Sequence, residues 1–270
     1  SLEKSRNIPT IKIAENVGVS NIVDFVDRLG MIVKLEKDLG LSLGSFGITL
    51  LDLVESYGVF PNGGKQVKSR SIVSIIDRNG EDIWHKGLIN QVGEEVSDSE
   101  LFGESDLVEN ANDVVSEEDT DINPFYKNLD DKQVFDSRLS YIMTNLLRGV
   151  IQNGTGRAAK KIGTYLGGKT GTTSNYVDAW FLGFSSKIVS GVWVGFDNNK
   201  TLGWGETGSK SALPIWSQVM DASLKKYGES DFDVPDGILN IGIDRKTGKI
   251  AKTHSSHPFI ESFVEGYGPE

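Results

Sequence analysis

Gly167-Gly168-Lys169-Thr170-Gly171-Thr172-Thr173 sets a cation, threonine hydroxyls and close-packed glycines just before two apolar runs, Ala179 to Phe184 and Ile188 to Phe196. Side chains alternate across a strand, so Lys169 and Thr170 point to opposite faces, while Gly171 leaves room for another backbone alongside. Such a strand suits the edge of a sheet that accepts an extended peptide, with the lysine and hydroxyls available to a carboxylate. A glycine-rich turn entering a hairpin is the plainer reading of the same residues. The two apolar runs are separated by Ser185-Ser186-Lys187, a hairpin-length loop, and this predicts three neighbouring antiparallel strands with the Lys169 strand first.

Helical patterns surround these strands. Before them, Leu139, Ile142, Met143, Leu146, Leu147 and Val150 form a continuous stripe opened by Asp136 or Ser137 and closed near Gly154. Gly154-Thr155-Gly156-Arg157 reads as the turn that delivers the chain to the Lys169 strand. After the strands, Pro214 starts a helix carrying Ile215, Trp216, Val219, Met220 and Leu224. The first sixty or so residues read as small helices. One ends at Gly18, the next is capped by Ser20 and stopped at Gly30, and a third is capped by Thr49. Ser71 to Ile76 followed by Asp77-Arg78-Asn79-Gly80 predicts a strand pair with a tight turn. A terminal hairpin is expected from Ile238 to Asp244 and Lys249 to Lys252 around Lys246-Thr247-Gly248. The fold class is α+β, an antiparallel sheet flanked by helices with a helical subdomain. The expected division is a domain over 1–235 and a small β appendage over 236–270.

Composition removes several classes of function. A formal charge of -10 with dispersed Lys and Arg argues against a nucleic-acid partner. With no cysteine, disulfides and thiol catalysis are out, and His85, His254 and His257 make zinc unpromising, so no metal and no cofactor is expected. No apolar run reaches the length of a membrane span. Acidic residues accumulate over 93–131 with few apolar anchors, which reads as a solvated flexible insertion.

Two further patterns are set aside. Gly163 to Thr170 fits a phosphate loop on paper, but Gly171-Thr172-Thr173-Ser174-Asn175 is poor material for the helix that motif requires. Ser1-x-x-Lys4 and Ser223-x-x-Lys226 have the spacing of a nucleophilic serine one turn from an activating lysine. Ser1 is the chain terminus, however, and Ser223 lies on the last helix beside lysines that suit its C-terminal dipole.

Ser5-Arg6-Asn7 together with Lys169-Thr170-Gly171-Thr172-Thr173 resembles the second and third signature elements of the penicillin-binding transpeptidases. Ser5 to Thr10, Leu41-Ser42-Leu43-Gly44, Thr49 to Gly64, Leu146 to Gly156 and Asp178 to Asp197 resemble the C-terminal module of bifunctional class A penicillin-binding proteins. The resemblance covers most of residues 1–235 and leaves out the acidic insertion. It implies the transpeptidase fold shared with serine β-lactamases, and D,D-transpeptidation of peptidoglycan stem peptides by a serine nucleophile. That family's Ser-x-x-Lys element normally precedes Ser-x-Asn and is expected in an upstream segment of the same protein. By resemblance, Ser5 passes a proton towards the leaving nitrogen, Lys169 keeps that hydroxyl polarised and Asn7 orients the substrate amide. Thr170 and Thr172 hold the terminal carboxylate beside Gly171, and the Thr172 backbone N–H is an oxyanion donor. The implied partners are stem peptides and β-lactam antibiotics. The implied location is outside the cytoplasmic membrane, with any membrane attachment through an N-terminal anchor beyond this chain. Alternatives are a related serine carboxypeptidase or β-lactamase, and a non-catalytic peptidoglycan-binding module. Taken alone, Ser5 and Asn7 could equally be helix caps before Pro9.

Overall fold

A computed structural model describes residues 2–31, 33–69, 71, 74–80, 133–253, 255 and 258–269. The acidic run 93–131, all three histidines, Ser1, Ile72 and Val73 of the strand expected before Asp77, and the strand expected after Gly80 lie outside the described residues. The chain divides into two compact units, one of residues 1–67 and 123–270 and one of residues 68–122. In the second unit the expected turn is present: Gly80 N donates to Asp77 O at 3.1 Å, and Asn79 N to Asp77 Oδ1 at 2.8 Å.

In the first unit, α1 (Asn7–Val17), α2 (Val19–Arg28) and α3 (Leu50–Gly58) are the small helices read from the sequence. Thr49 caps α3 as expected, its hydroxyl accepting from Asp52 N at 3.1 Å. Ser20 does not cap α2. The chain turns at Gly18 (φ 88°), which ends α1 and directly precedes α2, so Ser20 already lies inside the helix. A left-handed glycine can join two helices without a capping side chain.

The long stripe becomes α4 (Ser137–Asn153), with Asp136 at its N-cap accepting from Arg138 N at 2.8 Å. The Arg138 side chain bonded to that carboxyl holds it below the usual carboxylate range. Leu147, Val150 and Ile151 are buried. Ser140 and Thr144 are buried polar groups on the same helix, and both donate to Phe60 O, at 2.7 and 3.1 Å. That carbonyl follows the end of α3, where backbone N–H donors run out, so the hydroxyls supply the donors the backbone lacks.

Strands β1 (Gly167–Thr172), β2 (Asp178–Phe184) and β3 (Val189–Gly195) form an antiparallel sheet in the order β1-β2-β3. The two faces differ. Phe181 of β2 packs with Trp216 on α5 (Leu213–Tyr227), in a core shared with Ile151, Leu166, Leu213 and Met220. Phe184 on the other face packs with Leu147 of α4 and with Phe232. Helices therefore cover both faces, as expected for an α+β unit with one buried sheet.

The terminal hairpin departs from expectation. Strand β4 (Ile238–Asp244) pairs along its whole length with β5 (Pro258–Val264), while Ile250 makes only one bridge to Ile243. The Lys246-Thr247-Gly248 turn is present, and the expected partner follows it as far as Ala251, with Asp244 N donating to Lys249 O and Ala251 N to Gly242 O, each at 2.8 Å. Seven paired positions with β5 outweigh the single bridge that the nearby segment makes. Among the described residues no helix is long and apolar enough to cross a membrane.

Candidate active site

The geometry begins with two glycines. Lys169 sits opposite Leu182 and Thr170 opposite Phe181, so the two side chains leave β1 on opposite faces. A Cβ on Gly167 would lie 2.6 Å from the Phe184 ring, and one on Gly168 2.9 Å from the Phe181 ring. Both positions must therefore be glycine for aromatic rings to close on the strand from either side and fix β1 as the sheet edge. Lys169 extends from that fixed strand and donates through Nζ to Ser5 Oγ at 2.8 Å and to Thr170 O at 2.8 Å. Burial pushes its ammonium down to about 8.

Ser5 reaches this position on a strap at the start of the chain. A 3-10 turn, Leu2–Lys4, precedes it, and Ser5 N donates to Leu2 O at 3.1 Å. Ser5 itself has φ 50°, a left-handed conformation costing a non-glycine residue about 1 kcal/mol, which neighbouring contacts must over-determine. They come from the end of α4. Thr155 N donates to Glu3 O at 3.1 Å, and Lys4 Nζ to Asn153 O at 2.7 Å. A lysine on the last carbonyls of a helix also meets the negative end of its dipole.

The capping alternative for Ser5 and Asn7 is not what forms. The N-cap of α1 is Arg6, which makes no side-chain cap bond. Asn7 is the first residue of α1 and is exposed, with no side-chain hydrogen bond to any described residue.

The remaining predicted residues line the same strand. Thr170 Oγ1 lies 2.8 Å from Thr155 Oγ1, and Thr172 Oγ1 accepts from Gly208 N at 3.0 Å. A Cβ on Gly171 would meet the Trp180 side chain at 3.1 Å rather than another backbone, and it is at Gly208 that backbone packs closely on β1. A Cβ on Gly208 would collide with the carbonyl oxygens of Trp180 and Gly171. Gly208→Ala is therefore expected to destabilise the fold by about 2 kcal/mol, a typical overpacking cost. Gly47→Ala, with nothing within 4 Å of its Cβ, is expected to stay within about 0.5 kcal/mol. Urea unfolding of both variants checks the difference.

Thr155 is the residue that sequence reasoning missed. Its backbone N–H holds the Ser5 strap and its hydroxyl holds Thr170, so one residue joins both parts of the site. The only local signal was a hydroxyl between two glycines in Gly154-Thr155-Gly156. The patterns set aside stay aside. Gly163 to Thr170 runs into β1, and what directly follows that strand is only the three-residue turn Ser174–Tyr176. Ser223 donates to Val219 O at 2.8 Å along α5, and Lys225 pairs with Asp221.

A family profile described as the penicillin binding protein transpeptidase domain matches residues 1–221. Penicillin-binding protein 1A of Rickettsia conorii is 38% identical over 249 residues, 92% of this chain and 29% of that protein. Penicillin-binding protein 1A of Pseudomonas aeruginosa is 32% identical over 280 residues, 97% of this chain and 33% of that protein. The chain thus spans about a third of the length of the curated relatives it matches. The crystal structure of penicillin-binding protein 1A from Haemophilus influenzae superposes with a TM-score of 0.76 at 27% identity, over 100% of this chain and 40% of that one. The fold, the order of Ser5 to Asn7 and Lys169 to Thr173, and these matches agree: the chain belongs to the transpeptidase-domain family of the class A penicillin-binding proteins.

Proposed function

We propose that this chain forms the proton-relay and carboxylate-binding wall of a D,D-transpeptidase that cross-links peptidoglycan stem peptides outside the cytoplasmic membrane. In that reaction a serine attacks the D-Ala-D-Ala carbonyl and D-Ala departs. An amine of a second stem then takes the acyl group. The observation that carries the reading is the Lys169–Ser5 hydrogen bond between segments 164 residues apart. As an ammonium, Lys169 can only donate, so it fixes Ser5 Oγ as an acceptor and leaves the serine's own proton free for the leaving nitrogen. Thr170 and Thr172, flanking Gly171, hold the substrate's terminal carboxylate, with the Thr172 N–H as an oxyanion donor. Asn7 meets the substrate amide with its paired donor and acceptor. Among the described residues nothing bonds the Asn7 amide, which supports this role.

The nucleophile in this proposal is a serine of an upstream segment of the same protein, and β-lactams acylate that serine. Any membrane anchor also belongs to that segment. Residues 1–235 supply the transpeptidase wall, and 236–270 is a C-terminal β addition. Intact-mass and peptide-mass spectrometry of the full-length protein after incubation with benzylpenicillin tests the assignment. The expected drug adduct maps upstream of Ser1. An adduct on a serine within this chain would overturn the placement of the nucleophile, the absence of any adduct would overturn the penicillin-binding reading, and rapid release of the adduct would indicate a β-lactamase.

A further inference from the structure

The family match ends at residue 221, yet the β4–β5 hairpin beyond it reaches the strap that holds Ser5. Arg245 directly follows β4, in a turn where Asp244 Oδ1 accepts from Lys246 N at 2.9 Å and Thr247 N at 3.1 Å. Its guanidinium lies 4.5 Å from the Phe259 ring centroid of β5, a stacking that limits the directions in which its donors point. From there Nη1 donates to Glu3 Oε2 at 2.9 Å and Nη2 to Glu3 Oε1 at 3.4 Å.

The fold makes room for Glu3 on its other side. Gly149 lies inside α4, where glycine weakens a helix relative to alanine, and a Cβ there would sit 2.8 Å from Glu3 Oε1. A Cβ on Gly154 would collide with the Glu3 carbonyl oxygen. Asn153 Nδ2 donates to the same carboxylate at 3.4 Å. Glu3 is thus seated between two glycines of the α4 end and the Arg245 fork, two residues before the left-handed Ser5.

We infer that Arg245 is a positioning residue for Ser5, acting through Glu3, so that the C-terminal hairpin sets the geometry of the proton relay. The inference rests on the transpeptidase reading of Ser5. Arg245 is 40% and Glu3 28% exposed, so solvent screens the pair and its effect is modest.

The test measures β-lactam acylation by the full-length protein, separating the acylation rate constant from the affinity of the preceding complex. Arg245→Met is expected to slow the acylation step about three- to fivefold, the upper end for an exposed ion pair, with affinity unchanged because the carboxylate wall lies on β1. Glu3→Gln, which keeps the size of the side chain between the glycines, is expected to slow the same step by a similar factor, and Glu3→Gln with Arg245→Met to be no slower than either single variant, because both remove one interaction. An Arg245→Met protein with the wild-type rate, a loss in affinity alone, or a double variant slowed by the product of the two single effects would each overturn the inference. If Arg245→Met lowers the melting temperature, the double-variant comparison measured below all the transitions still decides. Failure of the wild-type protein to acylate would reject the proposed function instead, so the two failures are distinct.

Discussion

Lys169→Met in the full-length protein is expected to lower the β-lactam acylation rate by about 10²- to 10⁴-fold, the range lost when a positioned proton-transfer group is removed. Methionine keeps the length and most of the volume of the side chain, so β1 and the strap retain their shape while Ser5 loses its donor. The pH dependence gives the sharper signature. Burial lowers the Lys169 pKa to about 8, and below that pH the ammonium donates to Ser5 Oγ. Above it, the neutral amine can accept the serine proton and turn the hydroxyl the wrong way. The apparent second-order rate should therefore fall as pH rises through about 8, and the limb should move to higher pH in Lys169→Arg. Binding an anionic carboxylate beside Lys169 favours the charged form, so the limb for the acyl-transfer step itself should lie higher than that of the free enzyme.

Stability should move the other way. The folded pKa of Lys169 lies below its ordinary value of 10.5, so the fold disfavours the ammonium. That penalty is fully present below pH 8 and is relieved as pH rises towards 10.5. Lys169→Met removes it, and at pH 7 the variant is expected to melt higher than wild type while losing its chemistry. A flat pH–rate profile, or a Lys169→Met protein that acylates normally, would refute the relay role of Lys169.

How far the sequence alone could be read follows the range of each interaction. Period and caps are local, so β1 to β3 and the starts of α3 and α4 at Thr49 and Asp136 were legible. Gly167 and Gly168 could be seen as bulk removed, though not that Phe184 and Phe181 take the space. Ser20 misled because its residue type suits a cap, while the left-handed Gly18 had already joined the helices. The β4 partner was only partly legible, because a turn at Lys246 to Gly248 fixes where the chain bends and sets the short pairing up to Ala251, not which later segment supplies the long ladder. Thr155 and Thr170 are 15 residues apart and Arg245 and Glu3 are 242 apart. No local pattern encodes either contact. Ser5 and Lys169 were paired only because a family resemblance supplied the long-range information that spacing lacks.

Trp216→Ala is expected to destabilise the protein by about 4 kcal/mol, within the usual cost of deleting a buried aromatic ring, and to lower its melting temperature by about 10 °C. Trp216 is fully buried and stands 4.8 Å from Phe181, ring centroid to centroid. Its Nε1 donates to Ser190 O at 3.1 Å, which ties α5 to β3, and its deletion leaves that carbonyl with one partner fewer. The surroundings cannot easily collapse into the gap. A Cβ on Gly183 would lie 2.5 Å from the indole, so β2 is already shaped to the ring and has no side chain there to fill the space. Trp204, twelve positions earlier, is 89% exposed and touches Tyr176 at its edge, so Trp204→Ala should stay within about 0.5 kcal/mol. The consequence extends to the site, because Thr170 pairs with Phe181 and Lys169 with Leu182. Loosening Phe181 loosens the strand that carries both residues, so Trp216→Ala should also weaken acylation at temperatures where the protein is still folded. Equal stabilities for the two tryptophan variants would mean that α5 does not hold the sheet, and the placement of Lys169 would lose its support.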